Sequence, residues 1–390
     1  MRYVRRLLES QLVAALRHFP AVVLTGPRRS GKTTMLRKLL PDASYRLLED
    51  PALVARLRQD PEGFLDELEL PVILDEVQNV PEIFGYVRAR IDRHPRQTGR
   101  WILTGSQESP LMRGVNESMA GRAAILQLWP LALPESPKVD LLRGGFPEVI
   151  ARPRAARLWF SSYVQTYLER DVRSVSAVHD LATFRRFLAL VASRHGQILN
   201  RTDLAAPLGM SVPGVGKWLD ILEITQQVLI IPPYFENLGK RIIKSPRVYL
   251  ADPGLACHLL GIETRAELER SPFLGPLFEG WVAAEIVKAQ ANDGRRRELY
   301  YFRDQQGLEV DFLIPTAGGS TILVEAKASR TPSPAMAAPL LRLATALPKT
   351  RHDRVRAYVV HRGRPAATTT AALARGVQAL DLAELLAKLP

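Results

Sequence analysis

Cysteine is almost absent from these 390 residues. The single one, Cys257, excludes any disulfide within the chain. Histidine is also scarce, and the 7 present are scattered without metal-ligand spacing. No apolar run approaches the ~20 residues that a membrane-spanning helix needs. The opening stretch MRYVRRLLESQLVAALRHF breaks its apolar positions with Arg5, Arg6, Glu9 and Arg17. That pattern predicts an amphipathic helix, not a secretion signal. Together these absences point to the cytoplasm and to no membrane partner. Acids are the last shortage. Asp and Glu number 40 against 53 Lys and Arg, a net charge of +13. Such an excess favours a polyanionic partner, nucleic acid first, and DNA before RNA. GC-rich coding would explain arginine outnumbering lysine, but not so few acids.

The length predicts two or three domains. PAVVLTGPRRSGKTTMLRKLL reads strand, loop, helix. Its loop carries the phosphate-binding spacing G-x-x-x-x-G-K-T in the required setting. Gly26, Pro27, Arg28, Arg29, Ser30, Gly31, Lys32, Thr33 and Thr34 are the expected nucleotide contacts. Backbone N–H groups and a helix N-terminus would face the phosphates. Lys32 would reach the β and γ phosphates of ATP, and the Thr33 hydroxyl would bind Mg²⁺. LPVILDEVQNVP follows, with an apolar strand ending at Asp75 and Glu76, 43 residues after Lys32. Asp75 would hold Mg²⁺ through water, and Glu76 would polarise the attacking water. A third strand, RWILTGSQ, ends in Thr104, Gly105, Ser106 and Gln107. Gln107 there is either a sensor of the γ phosphate or part of an ordinary strand-to-helix turn. Arg122, in SMAGRAAILQLWPL, is either an arginine finger, in cis or in trans, or a surface arginine.

Residues 151–178 read as a helical linker or lid. Residues 179–262 have the order of a winged helix: a long helix, a short one, a turn at Gly209 and Met210, a second helix capped by Ser211, then a wing. Residues 181–250 hold nine Lys or Arg against four Asp or Glu, which suits phosphate contact. The second helix offers Lys217 and little else for base readout, and winged helices also serve as protein modules. Asp252 reads as a cap before the next helix.

Residues 263–390 pose a different question. SPFLGPLFEGWVAAEIVKAQ puts Glu279 on the same side as Val282, Ala283 and Ile286 of a helix. A carboxylate there is costly unless paired or metal-bound. GLEVDFLIP and TILVEAKAS read as two strands, with Glu309, Asp311 and Leu313 on one face of the first. Leu323, Glu325 and Lys327 share a face of the second. If the strands pair as a hairpin, Glu279, Asp311, Glu325 and Lys327 converge. Two alternatives compete: an exposed strand face bearing a surface ion pair, and a nuclease-like fold kept only for binding.

That constellation resembles the PD-(D/E)xK nuclease core. The resemblance implies that Asp311 and Glu325 bind Mg²⁺, that Glu279 completes or tunes the metal site, and that Lys327 orients or deprotonates the water. Taken in order, GPRRSGKTT, VILDEVQNVP, WILTGSQ, MAGRAAILQLWPL and GGFPEV resemble a family of prokaryotic AAA-type ATPases with a C-terminal domain of unassigned function, DUF4143. The resemblance covers nearly the whole chain. It implies an α/β fold with an AAA/ASCE ATPase domain over residues 1–150, the central winged helix, and a restriction-endonuclease-like C-terminal domain. It also implies that homo-oligomer contacts can complete the ATPase site. The expected function is ATP hydrolysis coupled to action on nucleic acid. The alternative is a nucleotide switch whose C-terminal domain binds a protein partner without cleavage.

Overall fold

The computed structural model describes residues 3–105, 118–168, 181–234, 244–316, 319–347, 355–363 and 372–390. The first sheet has strands β1 (Ala21–Thr25), β2 (Ser44–Leu47), β3 (Val72–Asp75), β4 (Trp101–Thr104) and β5 (Ala123–Gln127). All pair in parallel, in the order β2-β3-β4-β1-β5. β1, β3 and β4 are buried at every position, as the middle of a sheet covered on both faces requires. Successive side chains sort to opposite faces. Val22, Leu24, Ile73 and Ile102 pack with α1 (Glu9–His18) and α2 (Lys32–Leu39). Val23, Val72, Leu74 and Leu103 pack with α3 (Pro51–Gln59), α4 (Pro61–Asp66) and α5 (Ile83–Arg93). One strand, β4, separates β1 from β3. The loops leaving β1 and β3 therefore open on the same edge, beyond the carboxyl ends, where open α/β sheets hold their ligands.

The middle of the chain is mostly helical: α6 (Pro147–Ala151), α7 (Ala156–Tyr163), α8 (Leu181–Ser193), α9 (Arg201–Ala205) and α10 (Val212–Ile224). An antiparallel ribbon follows, β6 (Val228–Ile231) with β7 (Arg247–Leu250). The short helix α9 ends in a 3-10 turn through Leu208, and Gly209 then turns the chain at φ 63°. Ser211 caps α10 by accepting the Gly214 N–H at 3.2 Å. Val215, Trp218, Leu219 and Leu222 of α10 are buried, with Phe184 and Phe187 set edge-on to Trp218. The order of elements is the one expected from the sequence. Residues 169–178 of the expected linker and 235–243 of the expected wing lie outside the described residues.

After α11 (Pro253–Leu259) and α12 (Arg265–Arg270) comes the long α13 (Leu274–Asn292). The second sheet holds β8 (Tyr300–Arg303), β9 (Glu309–Thr316), β10 (Ser320–Lys327), β11 (Val355–His361), β12 (Ala372–Ala374) and β13 (Val377–Leu380), in the order β12-β13-β11-β10-β9-β8. β9 and β10 are antiparallel, with Ile314 opposite Ile322 and Phe312 opposite Val324. This is the hairpin on which convergence of the acids depends. Phe278, Val282 and Ile286 of α13 share a core with Phe312, Ile314, Ile322 and Val324. α14 (Ala338–Ala346) covers the other face with Leu340 and Leu343, against Leu313 and Leu323. α15 (Leu382–Lys388) closes the chain. The core under α13 continues through α7, α8 and α10 to Phe146. The middle and C-terminal parts are thus packed together across the boundary expected near residue 262.

Candidate functional site

Gly26 leaves β1 at φ 146°, and a Cβ there would lie 2.2 Å from the Leu128 carbonyl oxygen. A glycine is what allows the loop to pass so close to the chain beyond β5. Arg29 takes the left-handed region at φ 63°, and Gly31 precedes α2 at φ 100°. Arg28, Arg29, Ser30, Gly31, Lys32, Thr33 and Thr34 line a cavity of about 630 Å³. The carbonyls of Gly26 and Pro27 accept from Lys32 Nζ at 2.8 and 2.9 Å, so the ammonium lies along its own loop. Every expected nucleotide contact is thereby placed on this loop.

Thr33 donates its hydroxyl to Asp75 Oδ2 at 2.6 Å, and Tyr45 of β2 donates to the same oxygen at 2.8 Å. Burial raises the Asp75 carboxyl above its usual range, and the bonds from Thr33 and Tyr45 oppose that shift. A hydroxyl and a carboxylate in direct contact are the hard-oxygen donors that Mg²⁺ takes, so the residues fit the ion. Glu76 follows in the left-handed region at φ 59°, accepts a bond from the Gln78 amide and lines the cavity. Backbone conformations of this kind cost about 1–3 kcal/mol and concentrate at functional sites. Beside Asp75, Thr104 ends β4, and its buried hydroxyl has no partner among the described residues. Gln107 lies outside the described residues.

Arg122 is placed elsewhere. It precedes Ala123, which pairs with Ala21 at the start of β1, whereas the phosphate loop leaves the far end of that strand. At ~3.3 Å per residue the two ends are ~15 Å apart. Arg122 instead grips Asp92 at the end of α5, with Nε 2.6 Å from Oδ1 and Nη2 3.0 Å from Oδ2. A finger acting in cis is thereby corrected: the parallel sheet puts the residue at its opposite edge.

The cavity's other wall is not visible from the sequence. There Arg6 reads as a solvated charge, like Arg5. In the fold Arg6 is buried, and its guanidinium donates to Ser30 O at 2.9 Å, Trp129 O at 2.6 Å and Glu135 Oε1 at 3.1 Å. Glu135 also accepts the N–H groups of Leu7 and Ala132, both at 2.8 Å. This fastens the N-terminal segment beneath the phosphate loop. Tyr3, Leu131, Pro147 and Glu148 complete the wall. Pro147 and Glu148 belong to GGFPEV, a motif whose signal is visible in the sequence without its role. Asp252 explains its glycines. It caps α11 through Leu255 N–H at 3.0 Å and accepts Gly145 N–H at 2.8 Å. A Cβ on Gly144 would lie 2.0 Å from that carboxylate.

The second polar site lies in the C-terminal sheet, and Glu279, Asp311, Glu325 and Lys327 do meet there. Lys327 Nζ is 2.6 Å from Glu325 Oε1. Asp311 Oδ2 accepts the Ala326 N–H at 2.9 Å. Burial first, then the neighbouring Asp311, pushes Glu279 up to about 8 and Glu325 up to about 7. The unexpected member is Arg247 of β7. Its side chain is 4% exposed, and Nη1 stands 2.7 Å from Glu279 Oε1 and 3.4 Å from Asp311 Oδ1. Nη2 pairs with Glu309, and the Tyr249 hydroxyl donates to the same Glu279 oxygen as Nη1. Among the described residues no group of three or more His, Cys, Asp or Glu is placed to hold a metal ion. The expected metal set of Glu279, Asp311 and Glu325 is corrected accordingly. As it stands, the cluster takes a guanidinium for its counter-ion and does not fit a metal.

Two further observations bear on function. The outward face of α10 shows Lys217 with Asp220 beside it, a pair with little net attraction for phosphate. On α13, two turns beyond Glu279, Glu285 and Lys288 form a buried pair at 2.8 Å. Glu285 accepts the Leu133 N–H at 2.7 Å and Lys288 donates to Leu131 O at 3.1 Å. The helix thus clamps the segment that lines the nucleotide cavity.

The parallel sheet, the phosphate loop and the Thr33–Asp75 contact define an AAA-type P-loop ATPase domain. A family model described as an AAA domain matches residues 18–136, and domains of unknown function match residues 138–266 (DUF8612) and 274–383 (DUF4143). The uncharacterized protein Rv2008c of Mycobacterium tuberculosis is 35% identical over 338 residues, covering 84% of this chain and 75% of that protein. The uncharacterized protein Mb2031c of Mycobacterium bovis matches with the same figures. The chain belongs to their family, in which the ATPase domain is joined to a C-terminal DUF4143 domain. Among solved structures, the Walker-type ATPase PABY2304 of Pyrococcus abyssi is similar at 16% identity, with a TM-score of 0.45 over 65% of this chain and 94% of that one. No helix among the described residues is long and apolar enough to cross a membrane.

Proposed function

We propose that this chain hydrolyses ATP at the loop of residues 26–34, with Glu76 as the residue that orients and deprotonates the attacking water. The observation that carries the reading is the placement of Glu76. It adjoins the Thr33–Asp75 contact, lines the same cavity as Lys32 and is held in a left-handed backbone conformation. Lys32 exchanges the Gly26 and Pro27 carbonyls for the β and γ phosphates. Thr33 and Asp75 hold Mg²⁺, which when bound neutralises charge on the phosphate oxygens. Thr104 and Gln107 sense the γ phosphate from the end of β4. Arg122 enters this reading solely in trans, as a finger toward a neighbouring subunit of a cytoplasmic homo-oligomer. In the test, Lys32→Ala abolishes ATP turnover while the fold, followed by circular dichroism, is kept; unchanged turnover would overturn the assignment.

A second reading concerns the other end of the chain. Asp311, Glu325 and Lys327 stand on paired strands in the order of a nuclease core, beside Glu279 of the covering helix. With the net charge of +13, this supports action on nucleic acid, DNA before RNA, by a nuclease-like domain. Arg247 stands among the acids that a metal would need, so cleavage requires its displacement first. Labelled single- and double-stranded DNA and RNA, incubated with Mg²⁺ or Mn²⁺ with and without ATP, provide the test. Cleavage lost in Asp311→Ala would support the reading. Intact ATP turnover with no cleavage in any lane would favour a nucleotide switch that binds a protein partner.

A further inference from the structure

The acidic cluster of the second sheet has a resident cation, and it is supplied by a strand outside that sheet. β7 pairs with β6, Val228 opposite Leu250 and Ile231 opposite Arg247. From the end of this ribbon the Arg247 guanidinium enters the cluster, with Cζ 4.9 Å from the centre of the Tyr301 ring. It contacts Glu279, Glu309 and Asp311. Two residues on, Tyr249 secures the same Glu279 carboxylate from the same strand. The remaining cations, Lys327 and Arg303, pair with Glu325 and Glu309. Four carboxylates, Glu279, Glu309, Asp311 and Glu325, therefore share three cations. The deficit has a visible locus. Glu325 is 4% exposed, and its Oε2 has no hydrogen-bond partner among the described residues. Carboxylates gathered in a dry site need a counter-charge, and taking away one buried partner leaves the others uncompensated.

We propose that Arg247 is a built-in counter-ion that keeps the Glu279–Asp311–Glu325 cluster closed to divalent cations, and that withdrawal of β7 opens a cation site there. The purpose of such a site rests on the nuclease-like reading above; its cation affinity does not. A guanidinium does not lose its proton in the physiological range, so pH cannot release it. What can release it is movement of the ribbon. Once vacated, the site offers carboxylate oxygens, one of them already unpartnered, and these are the ligands that Mg²⁺ and Mn²⁺ take.

The test is Mn²⁺ binding to the full-length, nucleotide-free chain, read from the loss of the free-ion electron paramagnetic resonance signal. Arg247→Gln is expected to bind one additional Mn²⁺ at least about tenfold more tightly than the unaltered chain binds it in the cluster. Arg247→Gln combined with Asp311→Asn is expected to lose that ion. An Arg247→Gln chain that is folded and binds no additional Mn²⁺ overturns the proposal. If Arg247→Gln does not fold, amide exchange in the unaltered chain decides. Saturating Mn²⁺ is expected to speed exchange of the Val248–Leu250 amides, and not in Asp311→Asn; unchanged exchange overturns the proposal. A variant that gains the ion but cleaves no nucleic acid keeps the counter-ion and ends the nuclease reading. One that cleaves without gaining the ion does the reverse.

Discussion

At the nucleotide site the central cation, Lys32, rests on two carbonyls of its own loop beside a cavity of about 630 Å³. In the second sheet the central cation, Arg247, is sealed among Glu279, Glu309 and Asp311. Both sites are built from strand-end acids and a buried base. They differ in whether the base has been matched to the protein's own acids. A loop carbonyl is a weak holder, readily exchanged for a phosphate. A set of carboxylates in a dry site is a strong one. The first arrangement is ready for a ligand, and the second must be opened before it can take one.

The sharpest way to break this comparison is at Glu76. Glu76→Gln is expected to lower ATP turnover by about 10²–10⁴-fold, the usual weight of a positioned general base, with nucleotide binding kept. Equal loss of binding and turnover, read by equilibrium binding beside steady-state rates, would reduce Glu76 to a structural part of the turn. The next effect tests burial itself. Glu285→Ala strands Lys288, whose side chain is 1% exposed, and is expected to cost about 3–5 kcal/mol of stability. A denaturant midpoint that barely moves would mean that Lys288 has found water or another acid.

A smaller effect separates the sites by pH. An unfolded glutamate titrates near 4.5, and Glu279 in the fold near 8. Between those values the native chain holds a proton that the unfolded chain has released, so stability falls as pH rises through the window. Glu279→Gln is expected to flatten that slope in thermal melts recorded in the presence of a chelator. A slope that survives intact would place the titration on another group, Glu325 first. The least effect is expected from Lys217→Ala. With Asp220 beside it on α10, loss of Lys217 should leave DNA affinity and its salt dependence unchanged. A salt slope smaller by about one would instead reveal a phosphate contact.

The phosphate loop, the Asp75–Glu76 strand end, the order of helices in the middle and the β9–β10 hairpin are all legible in the sequence. Each is carried by local spacing: glycines at fixed offsets, an apolar run ending in acids, alternation along a strand. Arg6 and Arg247 are not legible. Each does its work with partners far along the chain, Glu135 for one and Glu279, Glu309 and Asp311 for the other. An arginine in a basic chain looks like every other arginine until the fold supplies its acids. Arg122 shows the converse. Its motif is recognisable, but only the parallel register of β1 and β5 reveals that it stands at the wrong edge for its own nucleotide.

α13 joins the two sites that this comparison keeps apart. Glu279 lies on it in the acidic cluster, and Lys288, nine residues on and ~13 Å along the axis, holds the carbonyl of Leu131 in the nucleotide wall. A buried helix moves as one piece. If nucleotide loading shifts the Leu131–Leu133 segment, it shifts the carboxylate that grips Arg247. Thermodynamic reciprocity then requires the converse: a cation that displaces Arg247 must change the affinity for nucleotide by the same factor. The chain would weigh two ligands on a single beam.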